Sequence, residues 1–377
     1  MKKALFVATV VKTHIMTFHI PYLKMLKEMG FETAVAARND YENPEDCVIP
    51  YCDNYYDIPF ERSPLKTANL KAYKALKRII DEGDYDIIHC HTPVGAMLTR
   101  LAALRARKRG TKVIYTAHGF HFYKGAPLIN WLLYFPVEWF LARFTDALIT
   151  INKEDYSRAQ KLAAKKVYYV PGVGIDTKKY AVSDEVRQEN RMVIRNEFGI
   201  PEDATVLLSV GELIPRKNHR VVIEAISQMD NDNLYYIICG RGPLMESLKE
   251  LAHSLDISNR VILTGFRNDI ADFFSASDVF IFPSLQEGLP VAVMEAMASG
   301  LPVVCSNIRG NTDLANDPRY LFNPANTNDL KNALKTALDD LSGCVQKRTT
   351  TEYIEQFSVE RLTNNLRDVY SDTIKNR

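Results

Sequence analysis

The stretch Val279 to Ser306 reads VFIFPSLQEGLPVAVMEAMASGLPVVCS and places two carboxylates, Glu287 and Glu295, eight residues apart among apolar neighbours. Its first four residues are β-branched or aromatic, which predicts a strand. Pro290 suits the first turn of a helix, and Gly300 suits its end. The stretch therefore predicts a strand, a loop and a helix, which is a unit of an α/β domain.

The predicted helix is apolar on every side except at Glu295, so we expect it to be buried. An ionised carboxylate in such a place costs free energy unless it is hydrogen-bonded, and the hydroxyls of a ligand would supply those bonds. Glu287 precedes the helix, where the amides of Gly288 and Leu289 would favour an anion such as a phosphate. The simpler alternative makes Glu287 a partner of the helix dipole and Glu295 a half-exposed surface residue.

The same alternation of strands and helices extends along the chain. Residues 4–11 predict a strand, residues 17–29 a helix and residues 33–37 a second strand. Further strands are predicted at 85–89, 113–116, 146–151, 167–170, 205–210, 234–239, 261–264 and 302–305. This pattern predicts a doubly wound parallel sheet, whose ligands bind beyond the carboxyl ends of the strands. Turn residues near 172–180 divide the strands into two groups, so we expect two domains, 1–175 and 176–358.

Charge is distributed unevenly along the 377 residues, although the net charge is only +1. Residues 1–180 carry 27 Lys and Arg against 18 Asp and Glu, giving +9, whereas the remainder carries 20 against 28, giving −8. Such asymmetry indicates that the amino-terminal half faces an anionic surface, and a membrane lipid is the first candidate. No recognised RNA-binding motif accompanies the basic charge, so no nucleic-acid partner is expected.

Two basic stretches and an aromatic segment locate this surface. One stretch lies on a predicted helix and comprises Lys66, Lys71, Lys74, Lys77 and Arg78. The other ends a helix and comprises Arg105, Arg107, Lys108 and Arg109. Residues 129–144 (INWLLYFPVEWFLARF) are rich in aromatic residues and leucine, and basic charge beside such a helix suits an anionic membrane face. Solvated helix faces and ordinary core packing are the alternatives.

The cysteines and the apolar runs bear on the compartment. The six cysteines, at 47, 52, 90, 239, 305 and 344, are scattered, which is untypical of a disulfide framework or a zinc site. The amino-terminal MKKALFVATVV reads as the first strand rather than as a signal peptide, because it is short and has no convincing cleavage site. No apolar run approaches the roughly 20 residues of a membrane span. We therefore expect a cytoplasmic protein, peripheral to the inner face of the membrane.

Two further loops carry chemistry. Arg216 and Lys217 follow the strand 205–210, and two adjacent cations at a strand end can neutralise a diphosphate. Gly240 and Gly242, in CGRGPLME, permit close approach of the backbone, but the third glycine of a dinucleotide fingerprint is missing, which disfavours a nicotinamide dehydrogenase.

The histidines form the remaining candidates. His118, in TAHGFHF, follows a predicted strand, where α/β sheets place their sites. His89 and His91 flank Cys90, and no metal-ligand spacing is completed near them, so no metal site is predicted.

These motifs resemble one enzyme family. Glu287-x7-Glu295, within PSLQEGLPVAVMEAMASGLPVV, resembles the E-x7-E motif of the retaining family 4 glycosyltransferases, which have the GT-B fold of two Rossmann-like domains facing a cleft. The resemblance implies a transferase that uses no metal and takes a sugar, an N-acetylhexosamine or a hexose, from a UDP-sugar. It also implies that the last helix, within 359–377, joins the amino-terminal acceptor domain, and that 176–358 is the donor domain.

The resemblance assigns roles residue by residue. Glu295 would hold the ribose, Glu287 the hydroxyls of the donor sugar, and the amides of Gly288 and Leu289 the phosphate. Arg216 and Lys217, in the loop headed by Gly211, would hold the diphosphate and stabilise the leaving group. The Gly240–Gly242 turn is similar to the family's G-x-G-P turn, the backbone at Phe266 and Arg267 would meet the base, and His118 would contact the donor sugar near the reacting centre.

The acceptor side departs from the family pattern. A Gly-Gly loop usually follows the first strand, whereas this chain has VVKTH, so Lys12 and His14 are candidate acceptor residues. The segment TVVKTHIMTFHIPYLK is similar to exopolysaccharide transferases of the EpsD type, which implies a polyprenyl-diphosphate-linked saccharide acceptor in exopolysaccharide or capsule assembly. A UDP-sugar 2-epimerase on the same fold and a non-catalytic nucleotide-sensing partner are the alternative functions.

Overall fold

Two compact units, each built on one parallel sheet, make up the chain. The computed structural model describes residues 1–64, 66–315, 317–342 and 351–375. The first unit contains residues 1–174 and the last helix, which begins at Val359, and the second contains residues 175–358. This architecture confirms the doubly wound α/β fold that the alternating pattern predicts.

The first unit contains seven strands, and helices connect most of them. Its strands are β1 (Lys2–Val10), β2 (Phe31–Arg38), β3 (Asn54–Asp57), β4 (Ile87–His91), β5 (Lys112–Ala117), β6 (Ala147–Thr150) and β7 (Lys166–Tyr169). Its first helices are α1 (Met16–Phe18), α2 (Ile20–Glu28), α3 (Ala68–Gly83), α4 (Pro93–Ala102), α5 (Leu104–Lys108), α6 (Leu128–Ala142) and α7 (Lys153–Ala159). The strands pair in parallel in the order β3-β2-β1-β4-β5-β6-β7.

The second unit repeats this plan with six strands. They are β8 (Thr205–Val210), β9 (Leu234–Cys239), β10 (Val261–Gly265), β11 (Val279–Phe282), β12 (Val303–Ser306) and β13 (Leu321–Phe322). Its helices are α8 (Thr177–Tyr180), α9 (Asp184–Phe198), α10 (His219–Ser227), α11 (Met245–Ser254), α12 (Ile270–Ala276), α13 (Val291–Ala298), α14 (Asn311–Leu314), α15 (Thr327–Ser342) and α16 (Thr351–Glu355). The parallel order is β10-β9-β8-β11-β12-β13.

The period-2 geometry of the strands builds a core on each face of the first sheet. Leu5 and Val7 of β1 pack with α3 and α4, whereas Phe6 packs on the opposite face with α2. The last helix, α17 (Val359–Lys375), covers this second face and buries Leu362, Leu366, Val369 and Tyr370 there. The face of the sheet that carries Phe6 is therefore covered by α2 and by α17.

The structure corrects several predicted boundaries. The first strand ends at Val10, because residues 11–15 form a π-helical turn instead of extending it. Lys66 precedes α3 and is not on that helix, since α3 begins at Ala68. Five cysteines are free thiols, and Cys344 lies outside the described residues. No helix in the described part of the chain is both long and apolar enough to cross a bilayer.

A buried ion pair joins α4 to α6. Arg100 is 1% exposed, and its guanidinium donates to both carboxylate oxygens of Glu138 at 2.8 and 3.0 Å. The guanidinium also lies 4.3 Å from the centre of the Tyr115 ring. Two paired donors satisfy the carboxylate, so the pair is tolerated in the core, but removing one partner would strand a buried charge.

We expect Glu138→Ala to lower the free energy of unfolding of the first unit by about 3–5 kcal/mol, because Arg100 would stay buried without a counter-charge. Both tryptophans, Trp131 and Trp139, lie on α6, so tryptophan fluorescence during urea unfolding reports on this unit. Glu28→Ala is the control. It removes an exposed pair with Arg367, 3.1 Å long, and should cost at most about 1 kcal/mol. Equal losses for the two variants would contradict this account.

Candidate active-site residues

Each sheet has a point where its strand order reverses. In the first sheet the reversal lies between β1 and β4, and in the second it lies between β8 and β11. The connections that leave the two central strands run to opposite sides, which opens a crevice beyond the carboxyl ends of the strands. His14 follows β1 and His91 ends β4, while Gly211 follows β8 and the Glu287 loop follows β11. These four positions thus lie at the reversal points, whereas His118, Gly240 and Phe266 follow the neighbouring strands β5, β9 and β10.

Glu287 lies between two cations in the second unit. Its Oε1 accepts from Arg216 Nη1 at 2.9 Å and from Lys217 Nζ at 2.8 Å. The Arg216 guanidinium also donates to the carbonyl of Gln286, and the amide of Leu285 donates to the carbonyl of Arg216. These bonds join the loop after β8 to the loop after β11. The outcome is a preformed cluster of two positive charges and one negative charge.

Arg309 and Gly310 hold the Glu287 loop from its other side. The guanidinium of Arg309, 8% exposed, donates twice to the carbonyl of Glu287 at 3.0 and 3.1 Å. Gly310 has a φ of +83°, and a Cβ at this position would lie 2.2 Å from the carbonyl oxygen of Gly288. Only glycine fits this close approach of the two loops. The amides of Gly288 and Leu289 donate no hydrogen bond to the described residues, so they stay available at the start of α13.

Glu295 lies on α13, as the sequence predicts, and one hydroxyl contacts it. Tyr180, which is 6% exposed, donates to its Oε1 at 2.6 Å. Burial raises the pKa of Glu295 above its usual range, and the bond from Tyr180 opposes this effect in part. Glu295 is half-buried, and its carboxylate with a single neutral donor among the described residues is incompletely satisfied, since two oxygens can accept about four hydrogen bonds. Its remaining capacity can accept ligand hydroxyls.

Gly240 and Gly242 have a steric role. A Cβ on Gly240 would lie 1.7 Å from the carbonyl oxygen of Gly211, and one on Gly242 would lie 2.5 Å from that of Leu213. The chain after β9 runs against the chain after β8, and the amide of Leu213 donates to the carbonyl of Arg241 at 3.0 Å. The two glycines thus let the loop headed by Gly211 take its position.

Phe266 and Arg267 follow β10 and differ in exposure. Phe266 is 64% exposed, and the Arg241 guanidinium lies 5.2 Å from the centre of its ring. Arg267 forms ion pairs with Glu197 at 2.8 Å and with Asp269 at 2.6 Å. The side chain of Arg267 is therefore occupied by protein carboxylates. The backbone of this segment and the ring of Phe266 remain as its possible contacts with a ligand.

Five histidines converge in the first unit. His14 Nε2 lies 3.2 Å from His19 Nε2, and His91 Nδ1 lies 3.3 Å from His118 Nε2. The fifth, His89, hydrogen-bonds Tyr370 and Thr116 through its two ring nitrogens. The rings of His19, His89 and His91 surround Phe6, with centroids 5.9, 5.1 and 5.4 Å from its own.

Burial keeps these imidazoles neutral near pH 7. It lowers the pKa of His14 and His89 to about 3 and that of His118 to about 4, with neighbouring imidazolium charge as a second cause for His14 and His89. The Nδ1 of His19 and the Nε2 of His91 are buried without a hydrogen-bond partner among the described residues. Each such atom costs about 1–3 kcal/mol.

Lys12 lies apart from this cluster. Its side chain is exposed, with Nζ 5.3 Å from the centre of the Tyr41 ring. Its amide donates to Asp40, which also binds Thr13 and fixes the π-helical turn. Lys12 and His14 therefore leave the same turn with different surroundings, one in solvent and one beside other histidines.

Sequence reasoning missed three contributors. Tyr180 falls in the segment interpreted as a linker. Arg309 follows a predicted strand, so the rule that sites lie beyond strand ends could have found it. His19 lies between two short helices, and no local spacing connects it to His91. The convergence of the histidines could not be inferred without the strand order.

Two family models together match most of the chain. The model described as Glycosyltransferase Family 4 matches residues 22–179, and the model described as Glycosyl transferases group 1 matches residues 190–355. The Bacillus subtilis (strain 168) protein named "Putative glycosyltransferase EpsD" is 41% identical over 320 residues, which cover 84% of this chain and 81% of the relative. The chain belongs to glycosyltransferase family 4. The resemblance carried by Glu287-x7-Glu295 is thereby confirmed.

This glycosyltransferase is also similar to a second relative and to a solved structure. It is 30% identical over 321 residues to the Escherichia coli UDP-Gal:alpha-D-GlcNAc-diphosphoundecaprenol alpha-1,3-galactosyltransferase, covering 82% of this chain and 81% of that one. The crystal structure of Anabaena Alr3699/HepE in complex with UDP and glucose matches with a TM-score of 0.79 at 19% identity, covering 99% of this chain and 100% of that one. At this level of identity the structural match shows the shared GT-B fold.

Proposed function

We propose that this glycosyltransferase moves a sugar from a UDP-sugar, with retention of configuration, to a saccharide carried on a polyprenyl diphosphate in exopolysaccharide or capsule assembly. The observation that supports it most is the cluster of Arg216, Lys217 and Glu287 at the reversal point of the second sheet. The Escherichia coli relative is named for a UDP-sugar donor and a diphosphoundecaprenol-linked acceptor, which agrees with both ends of the proposal. The donated sugar is a hexose or an N-acetylhexosamine.

The second unit would bind the donor. The ribose hydroxyls bind Glu295, whose carboxylate has spare acceptor capacity beside Tyr180. The diphosphate meets Arg216 and Lys217 and the amides of Gly288 and Leu289, since both groups of donors favour negative charge. The base rests against the backbone at Phe266 and Arg267. Gly211, Gly240 and Gly242 shape the loops and need not contact the ligand through side chains.

The departing UDP would be stabilised by groups that are already in place. The bond from the anomeric carbon to the β-phosphate oxygen breaks, and the negative charge that develops on that oxygen is stabilised by Arg216 and Lys217. The diphosphate competes with Glu287 for the two cations, which turns the carboxylate toward the hydroxyls of the donor sugar. Because the cations are held in position before the ligand arrives, little reorganisation is needed when charge develops.

The first unit would supply the acceptor side. His118 contacts the donor sugar near the reacting centre, and Lys12 and His14 contact the acceptor. The proton of the attacking acceptor hydroxyl passes to the departing β-phosphate oxygen of UDP, because the new glycosidic bond forms on the face from which UDP departs.

An anionic membrane surface is the proposed docking partner of the first unit. Helix α6 exposes eight large apolar side chains, at 128, 129, 132, 133, 135, 137, 139 and 140. A monomer rarely exposes so many apolar residues on one helix without a partner. Arg107 of α5 donates to the carbonyl of Arg143 just beyond α6, so basic residues border the apolar face. This combination suits insertion of α6 into the interface of an anionic bilayer.

The test of the proposed function is release of UDP from a panel of UDP-sugars, with and without lipid extract containing polyprenyl-diphosphate saccharides. Release from one UDP-sugar that depends on the extract supports the transferase and identifies the donor. A new UDP-sugar without released UDP would support the 2-epimerase instead. Binding of UDP without turnover of any UDP-sugar would support the non-catalytic alternative.

Two variants test the ribose contact and the diphosphate contact separately. We expect Glu295→Ala to weaken binding of UDP and of uridine alike, by about 10- to 100-fold, because it removes a hydrogen-bonded charge that serves the ribose. Arg216→Ala should weaken UDP by at least about tenfold while changing uridine by less than about twofold. Isothermal titration calorimetry with both ligands measures the difference.

The matched control is Arg220→Ala, which removes an exposed arginine of α10 that pairs with Glu224. It should leave both affinities unchanged. If Arg216→Ala lowered the affinities for UDP and uridine equally, the diphosphate assignment would be wrong.

Membrane binding is tested with vesicles of phosphatidylglycerol and phosphatidylcholine in a sedimentation assay. We expect the double variant Leu132→Gln and Leu133→Gln to lower the bound fraction at least about tenfold. Glutamine at these positions would not move the apolar area of a leucine side chain from water into the bilayer. High salt should also weaken binding. The double variant Met192→Gln and Val193→Gln, at exposed apolar positions of α9 in the second unit, is the control. Equal binding by all three proteins would refute docking through α6.

A further inference from the structure

Four histidines of the first unit bring their ring nitrogens to one place. One nitrogen from each of His14, His19, His91 and His118 lies within 4.8 Å of one from each of the others. His14 and His118 are half-buried, and His19 and His91 are buried. The proposed sugar transfer accounts for His14 and His118 but gives no role to His19 and His91.

The separations suit coordination of a small cation. Zinc binds imidazole nitrogens at about 2.0–2.1 Å, so the nitrogens of a tetrahedral site lie about 3.3–3.4 Å apart. Two pairs already match this value, His14 with His19 at 3.2 Å and His91 with His118 at 3.3 Å. The widest separation in the set needs a contraction of about 1.4 Å, by the same tetrahedral geometry. Side-chain rotation of the two half-buried histidines can supply it.

A small cavity borders the cluster. Its volume is about 20 Å³, and its lining includes His19, His89, His91 and His118. Such a volume holds one water-sized particle. The unpartnered nitrogens, Nδ1 of His19 and Nε2 of His91, are not the atoms of the two close pairs, which use Nε2 of His19 and Nδ1 of His91. The cavity beside His19, His91 and His118 therefore leaves room for one small cation.

The chemistry of the set selects the cation. All four ligands are imidazoles, and no carboxylate belongs to the set, which disfavours calcium and magnesium because those ions prefer oxygen. Imidazole nitrogen suits zinc, nickel, cobalt and copper. We propose that His14, His19, His91 and His118 form a binding site for a divalent transition-metal cation, with zinc as the representative ion.

Neighbouring residues give the site a supporting layer. His89 lies 4.1 Å from His91 between ring centroids, and hydrogen bonds to Tyr370 and Thr116 fix its ring. The four ligands come from separate segments, which follow β1, precede α2, end β4 and follow β5. Folding of the sheet therefore assembles the site, and the rigid strands limit how far the ligands can move.

Occupancy of this site would affect the proposed reaction. His118 is assigned to the donor sugar and His14 to the acceptor, so a cation held by both residues competes with those contacts. We expect zinc to inhibit sugar transfer, a consequence that rests on the proposed function. Binding itself does not depend on that function and is measured separately.

The experiment uses the full chain without a polyhistidine tag, stripped with a chelator and dialysed against micromolar zinc. We expect one zinc to be retained per chain, and cobalt to give the strong visible absorption of a tetrahedral site. His14→Gln and His118→Gln should each lower the zinc affinity at least about tenfold, since even the loss of a supporting residue costs a metal site about 10- to 100-fold. Both altered residues are half-buried, and circular dichroism and tryptophan fluorescence verify that the variants are folded.

Two controls make the test decisive. His253→Gln alters an exposed histidine of α11 in the second unit and should leave zinc binding unchanged. Cys47→Ser and Cys52→Ser alter the more accessible described thiols and should also leave it unchanged. Absence of retained zinc, or equal affinity in His14→Gln, His118→Gln and His253→Gln, would overturn the site. Loss of binding only in the cysteine variants would overturn it as well. Zinc binding, together with no turnover of any UDP-sugar by the zinc-free protein, would retain the site and reject the proposed function.

Discussion

Parallel pairing is the constraint on which the rest of the structure depends. Every strand of a sheet ends at the same edge, so the loops that carry polar side chains are collected on one side of each unit. The reversal of strand order beside β1 and beside β8 then separates two neighbouring loops and leaves room between them. Arg216 and Glu287 are 71 residues apart in sequence and meet only because β8 and β11 are adjacent. The local sequence supplies the chemical groups, and the sheet order brings them together.

The charged groups of the second unit are arranged at some cost in stability. Glu287 is largely buried and is satisfied by two cations that the proposed donor would also require. Glu295 has a raised pKa and one neutral hydrogen-bond donor, so its charged form is destabilised by burial. A surface designed only for stability would avoid such carboxylates. Their retention among apolar neighbours fits a site whose full set of hydrogen bonds forms when a ligand arrives.

Strands are predicted most accurately where the local sequence pattern is unambiguous. The sequence predicts the strands 205–210, 234–239 and 279–282 to the residue, because largely apolar runs lie between turn residues there. The two missed strands, β3 and β13, are edge strands, one with polar ends and the other of two residues. The family was recognised from one motif, since its two glutamates and their apolar surroundings are contiguous in sequence. The histidine cluster joins positions from 14 to 118, and only the tertiary structure shows that they are neighbours.

The contact between Gly240 and Gly211 limits how this family member can change. A methyl group at Gly240 would overlap the carbonyl oxygen of Gly211, and one at Gly310 would overlap that of Gly288. Both obstacles are backbone atoms, so no rotation of a side chain can relieve the clash. Main-chain packing thus fixes the conformation of the loops around the proposed diphosphate position. Divergence toward another donor must then proceed through side chains at the rim, such as Phe266 and Arg241, while the path of the backbone stays the same.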